Sequence, residues 1–344
     1  MLHADETFLG DVGDDAPIHD QRGAAVVADV DAENVHALAR PRIVYGNSTG
    51  RSIPNCRART IWFIFCRGFD SFRPMSLTGF AAGQVRQVAS AWVKRRVLTQ
   101  PATLTLARSD WAKSLTQPTE FYFECYRHFH QKLAPELRAH REYFRQPRGN
   151  PRGFGEDAFH VMWHALFQEF KPASYLEIGV YRGQTISLAA LLGRMQGKPC
   201  EVCAISPFSS AGDAVSKYGA GVDYYADTLA NFEHFKLPQP KLHRGYSTDA
   251  DAVAFIRSRA WDVIYIDGNH DYEVALADWR VCSESVRPGG IVVLDDSGLT
   301  TSYRPPPFAT GGHPGPSRVA QEIDRARFEE ILQVGHNRVF QRRA

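Results

Sequence analysis

The stretch that decides the fold is residues 176–183, LEIGVYRG, in which an apolar segment runs into a turn with two glycines. In an open α/β sheet, ligands bind at the carboxyl ends of the strands, near the point where the strand order reverses. A glycine in the first such turn lets a ligand approach the backbone closely. The pattern Glu-x-Gly-x-x-x-Gly differs from both the dinucleotide-binding pattern and the P-loop pattern. A plain glycine turn before a helix is the alternative to a ligand-binding turn.

Strands and helices alternate from this stretch onwards. The predicted strands are 175–180, 202–205, 241–244, 261–266 and 290–294, and the predicted helices are 185–195, 223–235, 249–259 and 272–286. Such alternation predicts a parallel sheet with helices on both faces. Residues 330–334 and 337–341 flank a short turn and predict a hairpin that adds antiparallel pairing at the sheet edge. The predicted fold class is therefore α/β, a doubly wound Rossmann-like sheet with a C-terminal hairpin.

The region before this sheet divides into two predicted parts. Residues 1–74 show little helical or strand period and predict a disordered leader. Residues 75–150 predict a helical extension, with helices over 85–97 and 119–144, the second of which is interrupted at Pro135. A basic last turn on the first helix is compatible with a membrane surface, although a packing face and a solvated face explain it better.

The predicted sheet domain covers residues 151–344 and begins with a helix over 157–170, after a loop rich in Pro and Gly at 146–155. The Pro- and Gly-rich segment 301–317 predicts either a substrate lid or a surface loop. In a lid, Tyr303, Arg304 and His313 are the candidate contacts.

Composition excludes several classes of protein. The chain has 344 residues, 44% of them hydrophobic, and a net charge of only +2, which predicts no nucleic-acid partner. Six scattered cysteines, with no second pair to match Cys200 and Cys203, predict neither a disulfide framework nor a zinc site. The longest early apolar run, 61–65, is too short to span a membrane, and a cytoplasmic protein is expected. Homo-oligomerisation is left open.

Three aspartates follow two of the predicted strands. Asp267 follows strand 261–266, and Asp295 and Asp296 follow strand 290–294. If these strands are neighbours, the three carboxylates meet at one rim, close to the first glycine turn. Like charges so close together repel, and a bound cation relieves the repulsion. Oxygen ligands suit Mg²⁺, Mn²⁺ or Ca²⁺ better than zinc.

His270 lies three residues after Asp267, on the loop that leaves the strand. An imidazole there could reach a substrate hydroxyl held by the cation, and its ordinary pKa suits a general base near neutral pH. The alternative is a polar residue of a surface loop.

These motifs occur together in a known family. Residues 174–341 resemble the class I S-adenosylmethionine-dependent methyltransferases, and within them the metal-dependent sugar O-methyltransferases of macrolide biosynthesis and their relatives. The resemblance rests on residues 177–183, on residues 267–273 (DGNHDYE), and on Pro-Gly-Gly at 288–290 followed by Asp295 and Asp296. It implies S-adenosyl-L-methionine and a divalent cation, with Mg²⁺ first, as cofactors, and a hydroxyl of a sugar, glycan or natural product as the methyl acceptor.

The resemblance also implies roles for single residues. Gly179 and Gly183 would line the methionine part of the cofactor, with Glu177 and Tyr181 nearby, and Ser247 would lie near the adenine. Asp267, Asp295 and Asp296 would bind the metal, and His270 would deprotonate the acceptor.

One position departs from the family's pattern. Where the second strand commonly ends in an acid that binds the ribose hydroxyls, this chain has Ser206. A serine offers one uncharged oxygen, so ribose binding at Ser206 should be weaker. A catalytically silent cofactor-binding or interaction domain therefore stays as an alternative, and so does another reaction on the same scaffold.

We predict that a chain starting at Met75 keeps its fold and its cofactor binding, because residues 1–74 lack a core-forming period. Melting temperature and cofactor titration measure both properties. A large drop in melting temperature on truncation would contradict this prediction.

Overall fold

The structure of the chain, a computed structural model, describes residues 77–145, 152–213, 215–216, 219 and 221–344. The chain divides into two compact units, Met1–Arg73 and Pro74–Ala344, and the described residues belong to the second. The predicted leader and residues 146–151 of the predicted loop lie outside the described residues. Among the residues that are described, no helix is both long and apolar enough to cross a membrane.

Among the described residues, five α-helices precede the first strand and five lie within or after the sheet. Those before it are α1 (Leu77–Leu98), α2 (Ala112–Thr116), α3 (Pro118–Gln131), α4 (Pro135–Phe144) and α5 (Asp157–Phe170). The others are α6 (Gln184–Met195), α7 (Tyr224–His234), α8 (Ala250–Arg257), α9 (Tyr272–Ser285) and α10 (Pro314–Glu322).

The described strands form one seven-stranded sheet. They are β1 (Ser174–Ile178), β2 (Glu201–Ser206), β3 (Lys241–Arg244), β4 (Trp261–Ile266), β5 (Val286–Leu294), β6 (Phe328–Val334) and β7 (Asn337–Arg342). The strand order is β3-β2-β1-β4-β5-β7-β6, in which β1 to β5 pair in parallel and β7 is antiparallel to both β5 and β6. The predicted fold class is confirmed, hairpin included.

The order of the strands reverses between β1 and β4, and this reversal positions the site. Ile178 pairs with Ile266, and Ile266 pairs with Leu294, so these three strands end at the same level. The residues that follow them, from Gly179, Asp267 and Asp295 onward, are therefore neighbours at one rim of the sheet.

Prolines begin two of the helices. The interruption predicted at Pro135 is present, since α3 and α4 are separated at Lys132–Ala134 and Pro135 occupies the first turn of α4. The predicted loop 301–317 runs into α10, which begins at Pro314. Proline is favourable at the first position of a helix, so the same residue that suggests a loop also starts these helices.

The apolar face of α1 is only partly covered. Val85, Val88 and Trp92 are 52%, 71% and 58% exposed, whereas Val97 is buried. The periodicity of residues 85–97 correctly predicted a helix.

The sheet is covered on both faces. One core joins β-strand residues to α3, α5 and α6, and in it Trp163 of α5 lies across Tyr175 and Tyr265, with ring centroids 5.7 and 5.1 Å apart. A second core lies under α8, α9 and α10. The helices before β1 therefore share their apolar core with the sheet.

Asp157, at the start of α5, holds three of these helices together. Its buried carboxylate accepts hydrogen bonds from His130 of α3 and Arg141 of α4, each at 3.1 Å, and also from Arg145. Burial alone would raise the pKa of Asp157, but the His130 hydrogen bond and the two arginine charges hold it well below its usual value. Folding therefore stabilises the ionised form of this carboxyl.

We predict that Asp157→Asn lowers the free energy of unfolding by about 3–5 kcal/mol at neutral pH, because it leaves buried charge unpaired. Glu142→Gln is the matched control, since Glu142 is an exposed partner of Arg145 and should contribute at most about 1 kcal/mol.

The effect of Asp157 should depend on pH in one direction. Because the folded-state pKa is lowered, the stabilisation is present above the unfolded-state pKa of about 3.9 and is lost as the pH falls below it. Denaturant titrations of the wild type and Asp157→Asn should converge in acid. A constant difference across the acid range would contradict this assignment.

Candidate active site

A cavity of about 720 Å³ opens at the carboxyl ends of β1, β2, β4 and β5. It is lined by nine of the ten residues that the sequence singled out: Glu177, Gly179, Tyr181, Ser206, Ser247, Asp267, His270, Asp295 and Asp296. Gly183 is the exception. The topology therefore brings the predicted cofactor turn and the predicted metal and base residues to one space.

Gly179 closes the turn after β1 in a conformation that side chains rarely adopt, with φ of +90°. Its N–H donates to the carbonyl of Ile205 on β2, and a Cβ at this position would collide with the backbone carbonyl of Asp267. Glycine is thus required where the ends of β1 and β4 meet, and the bare backbone is open to the cavity.

Gly183 has a packing role and does not line the cavity. It has φ of +80° and precedes α6, and a Cβ there would lie 2.8 Å from Cγ2 of Thr228. The structure therefore explains this glycine by its packing against α7.

Glu177 is buried on β1, and its Oε2 accepts a hydrogen bond of 2.8 Å from the Tyr175 hydroxyl. Burial raises the pKa of Glu177 to about 8. Tyr181 lies at the other side of the turn, where its ring packs 4.7 Å from that of Phe154 and 5.3 Å from that of Tyr224. Glu177 and Tyr181 thus border the space next to Gly179.

The two serines differ in how they face the cavity. The Ser206 hydroxyl donates to the Val180 carbonyl at 3.2 Å and accepts from the Phe208 N–H at 3.4 Å, so it is turned towards the backbone. The Ser247 hydroxyl hydrogen-bonds to the buried Asp278 carboxyl, whose pKa is raised to about 6 by burial.

The carboxyl groups of Asp267 and Asp295 are close enough for their charges to interact. Burial and the charge of Asp295 raise the pKa of Asp267 well above its usual value. Burial would raise the pKa of Asp295 too, but the charge of His336 lowers it. A proton held by Asp267 and shared with Asp295 therefore relieves the repulsion between the two groups.

Asp296 is held in a strained backbone conformation, with φ of +49°. Its carbonyl accepts a hydrogen bond of 2.8 Å from the His313 N–H and one of 3.2 Å from the Ser317 hydroxyl. A non-glycine residue with a left-handed backbone costs free energy that the surrounding structure must offset, and such residues cluster at functional sites. The segment leading into α10 provides that support.

His270 lies between two carboxylates. Its Nδ1 is 2.5 Å from Oδ2 of Asp213, and its Nε2 is 2.8 Å from Oδ2 of Asp296. Burial would lower the pKa of His270, but Asp296 and Asp213 together raise it to about 9. Asp213 in turn accepts hydrogen bonds from the backbone N–H groups of Val215, Ser216 and His270, so its position is fixed.

Of the candidate lid contacts, only His313 lines the cavity. Tyr303 is 3% exposed and packs 5.6 Å from the Tyr122 ring, and the Arg304 side chain bonds to the carbonyls of Thr301 and Tyr303. The prediction that Tyr303 and Arg304 face a ligand is not supported by these positions, because both are engaged in packing the segment itself.

The cavity residues that the sequence did not single out include Asp213, Glu156 and His336. Glu156 is buried and accepts a 2.6 Å hydrogen bond from the Tyr122 hydroxyl. His336 lies in the turn between β6 and β7, where only the pair Gly335-His336 had marked a hairpin. None of the three belongs to a local motif, and each reaches the site through tertiary packing.

Comparison with known proteins supports a methyltransferase assignment. Residues 176–297 match the family model described as a methyltransferase domain. An uncharacterized protein of Acanthamoeba polyphaga mimivirus is 27% identical over 146 residues, which cover 40% of this chain. The chain spans 60% of the length of that relative.

Solved structures share parts of the architecture at low identity. The S-adenosylhomocysteine-bound methyltransferase PaMTH1 of Podospora anserina is 17% identical, with a TM-score of 0.44 over 61% of this chain and 88% of that one. The Bacillus cereus O-methyltransferase in complex with S-adenosylhomocysteine is 15% identical, with a TM-score of 0.39 over 69% and 100%. TomG of Streptomyces achromogenes is 14% identical, with a TM-score of 0.41 over 62% and 92%.

We predict that Gly179→Val abolishes binding of S-adenosylhomocysteine in calorimetry, because a branched side chain must displace the Asp267 carbonyl and fill the turn. Gly197→Val is the matched control. Gly197 also has a positive φ, but a Cβ there meets nothing within 4 Å. Retained affinity in Gly179→Val would place the cofactor elsewhere.

Proposed function

We propose, from the premise that the chain contains a class I S-adenosylmethionine-dependent methyltransferase domain, that it transfers a methyl group to a hydroxyl oxygen of a sugar, glycan or natural product. One observation carries this proposal. Asp267, His270, Asp295 and Asp296 converge on the cavity that also contains the Glu177–Gly179 turn. Groups suited to activate a hydroxyl thus face a turn suited to bind the cofactor.

The cofactor fits the turn after β1. The backbone at Gly179 lines the cavity, and the Glu177 carboxyl and the Tyr181 ring border the same space. Bound S-adenosylmethionine would supply a methyl carbon on a positively charged sulfur, so that an acceptor oxygen bonds to this carbon as the carbon–sulfur bond breaks and S-adenosylhomocysteine leaves. The residues around it align the acceptor with that methyl group, and such proximity can lower the barrier by roughly 7–11 kcal/mol.

A divalent cation fits the rim formed by Asp267, Asp295 and Asp296. Oδ1 of Asp295 is buried and has no hydrogen-bond partner among the described residues. Burial and the charge of Asp295 raise the pKa of Asp267, and a cation would relieve the same repulsion. Carboxylate oxygens are suitable ligands, and a cation there would lower the pKa of an acceptor hydroxyl.

His270 is the proposed general base. The Asp213 carboxylate binds Nδ1, which fixes the tautomer that presents the Nε2 lone pair to the cavity. The same arrangement of carboxylate and imidazole orients the base in serine hydrolases. In the described structure Nε2 is paired with the Asp296 carboxylate, so the ring carries both protons. It becomes a base once Nε2 has lost its proton, which is favoured when Asp296 engages another positive group.

One observation favours a second candidate function, that of a catalytically silent cofactor-binding domain. Both hydrogen bonds of the Ser206 hydroxyl go to the backbone, so nothing on this side chain replaces an acid that would bind the ribose. Such a domain would bind S-adenosylhomocysteine without turnover.

The two candidates are separated by turnover. The full chain is incubated with methyl-deuterated S-adenosylmethionine and a panel of sugars, glycans and phenols, with Mg²⁺ or Mn²⁺ or with a chelator. Deuterated methyl on an acceptor oxygen, found by mass spectrometry, supports the O-methyltransferase. Cofactor binding with no product across the panel favours the silent domain, and label on nitrogen or carbon contradicts the oxygen assignment. Cytoplasmic location stays a prediction from the sequence.

We predict that His270→Ala lowers turnover by about 10²–10⁴-fold, the usual contribution of a positioned base, and leaves S-adenosylhomocysteine affinity unchanged. Asp271→Ala is the matched control, because Asp271 is an exposed residue of the same loop. Full activity of His270→Ala would remove the base assignment. Full wild-type activity in a chelator would instead leave the three aspartates a structural role.

A further inference from the structure

The C-terminal hairpin delivers His336 to the carboxylate rim. The His336 carbonyl accepts a 2.9 Å hydrogen bond from the Ser297 N–H, and a Cβ at Gly298 would lie 2.9 Å from the His336 Cα. A Cβ at Gly335 would meet the Phe159 ring at 2.9 Å, so the turn is packed tightly on both sides. The imidazole is 7% exposed. The ring is therefore fixed beside the end of β5.

The hydrogen bonds of His336 fix its tautomer. Nδ1 lies 3.2 Å from the carbonyl oxygen of Thr310 and 3.0 Å from its hydroxyl. A carbonyl oxygen only accepts, so Nδ1 carries a proton. In the neutral ring the lone pair is then on Nε2. A metal-binding histidine typically has its other nitrogen bound to a carbonyl or carboxylate in this way.

Nε2 lies beside two carboxylate oxygens. Nε2 is 3.2 Å from Oδ1 of Asp295 and 3.7 Å from Oδ1 of Asp296. Neither contact has hydrogen-bond alignment, and Oδ1 of Asp295 is buried with no hydrogen-bond partner among the described residues. Ligand atoms bound at about 2.1 Å to one ion, in tetrahedral or octahedral geometry, lie about 3.0–3.4 Å apart. The 3.2 Å contact falls within this range and the 3.7 Å contact lies slightly beyond it. One ligand atom from each of Asp295, Asp296 and His336 lies within 4.8 Å of the other two, close enough to hold one ion.

We propose that His336 is a ligand of the cation, together with Asp295 and Asp296, and that the site selects a first-row transition ion such as Mn²⁺, Fe²⁺, Co²⁺ or Zn²⁺ over Mg²⁺. The proposal rests on the cation assistance proposed above and deepens it. An imidazole ligand favours these ions, whereas Mg²⁺ and Ca²⁺ prefer oxygen.

The other histidines at the rim face a different oxygen. His270 and His313 approach Oδ2 of Asp296, with Nε2 at 2.8 and 3.8 Å, whereas His336 approaches Oδ1. His270 is already hydrogen-bonded to Oδ2 of Asp296, so the proposed ligands are Asp295, Asp296 and His336. The competing role for His336 is that of a permanently protonated counter-ion to the two aspartates.

The test measures the ligand atoms directly. The full chain, saturated with S-adenosylhomocysteine, is titrated by calorimetry with Mn²⁺, Co²⁺ and Mg²⁺ as the probes. Electron spin echo envelope modulation of the bound Mn²⁺ then reports coordinated imidazole nitrogen. We expect nitrogen modulation in the wild type and tighter binding of Co²⁺ than of Mg²⁺. His336→Gln should lose the modulation and weaken Mn²⁺ binding by at least about 10-fold, the cost of even an outer ligand contact.

Two further variants control the result. His313→Gln removes the histidine that approaches Oδ2 of Asp296 and should keep the nitrogen modulation. His164→Gln should keep it too, because His164 does not line the cavity. If His336→Gln does not fold, His336→Ala with added imidazole should regain the modulation.

The outcomes separate the two proposals. Mn²⁺ that is bound without nitrogen modulation and lost in Asp295→Asn means an oxygen-only site, which overturns the role of His336 and leaves the cation proposal standing. Modulation that persists in His336→Gln also overturns it. Binding of S-adenosylhomocysteine with no cation at all overturns both proposals about metal, and the methyltransferase assignment is then judged by turnover alone.

Discussion

Electrostatic repulsion among buried carboxylates is the constraint on which the rest of this site depends. Parallel strands that end at one level place Glu177, Asp267, Asp295 and Asp296 around one cavity. Four negative charges in such a space would destabilise the fold, so the chain keeps some of them protonated and meets the others with imidazoles. Burial favours the protonated form of Glu177 and Asp267, while His336 and His270 balance Asp295 and Asp296. The hairpin places His336, and a loop at the rim places His270, where their charges offset those of Asp295 and Asp296.

The placement of the aspartates at one rim of the sheet could be predicted from sequence, because it follows from local pattern. Alternating strands and helices predict a parallel sheet, and the first residue after each strand of such a sheet lies at the same edge. Asp267, Asp295 and Asp296 could therefore be placed together from their positions after two apolar runs. The strand order added what the pattern could not give, namely that β1 lies between β2 and β4, which brings Gly179 against Asp267.

The positions of the groups that surround these aspartates could not be predicted, because they depend on contacts between residues far apart in sequence. Asp213 and His270 are 57 positions apart, and Ser297 and His336 are 39 apart. Neither pair has a spacing that a helix or a strand would reveal. Local pattern was misleading in two places. Pro314 suggests a loop but begins α10. Three apolar positions of α1 suggest a buried face but are exposed. Propensity and periodicity describe the element, while packing decides its partners.

His270 and His336 both lie beside Asp296, and the groups that contact their Nδ1 atoms suit them to different roles. Nδ1 of His270 faces the Asp213 carboxylate, whose charge makes Nε2 more basic, as a proton acceptor requires. Nδ1 of His336 faces the neutral Thr310 carbonyl, and its Nε2 faces Asp295 and Asp296. Burial would lower the pKa of His336, but the two carboxylate charges raise it to about 10, so Nε2 acts as a ligand only where a cation has displaced its proton. Asp296 lies between them, with one oxygen towards each. A cation bound through Oδ1 would draw charge from the carboxylate and weaken its hold on His270 through Oδ2. Binding of the ion and release of the base would then be coupled through a single side chain, whose strained backbone fixes both oxygens in place.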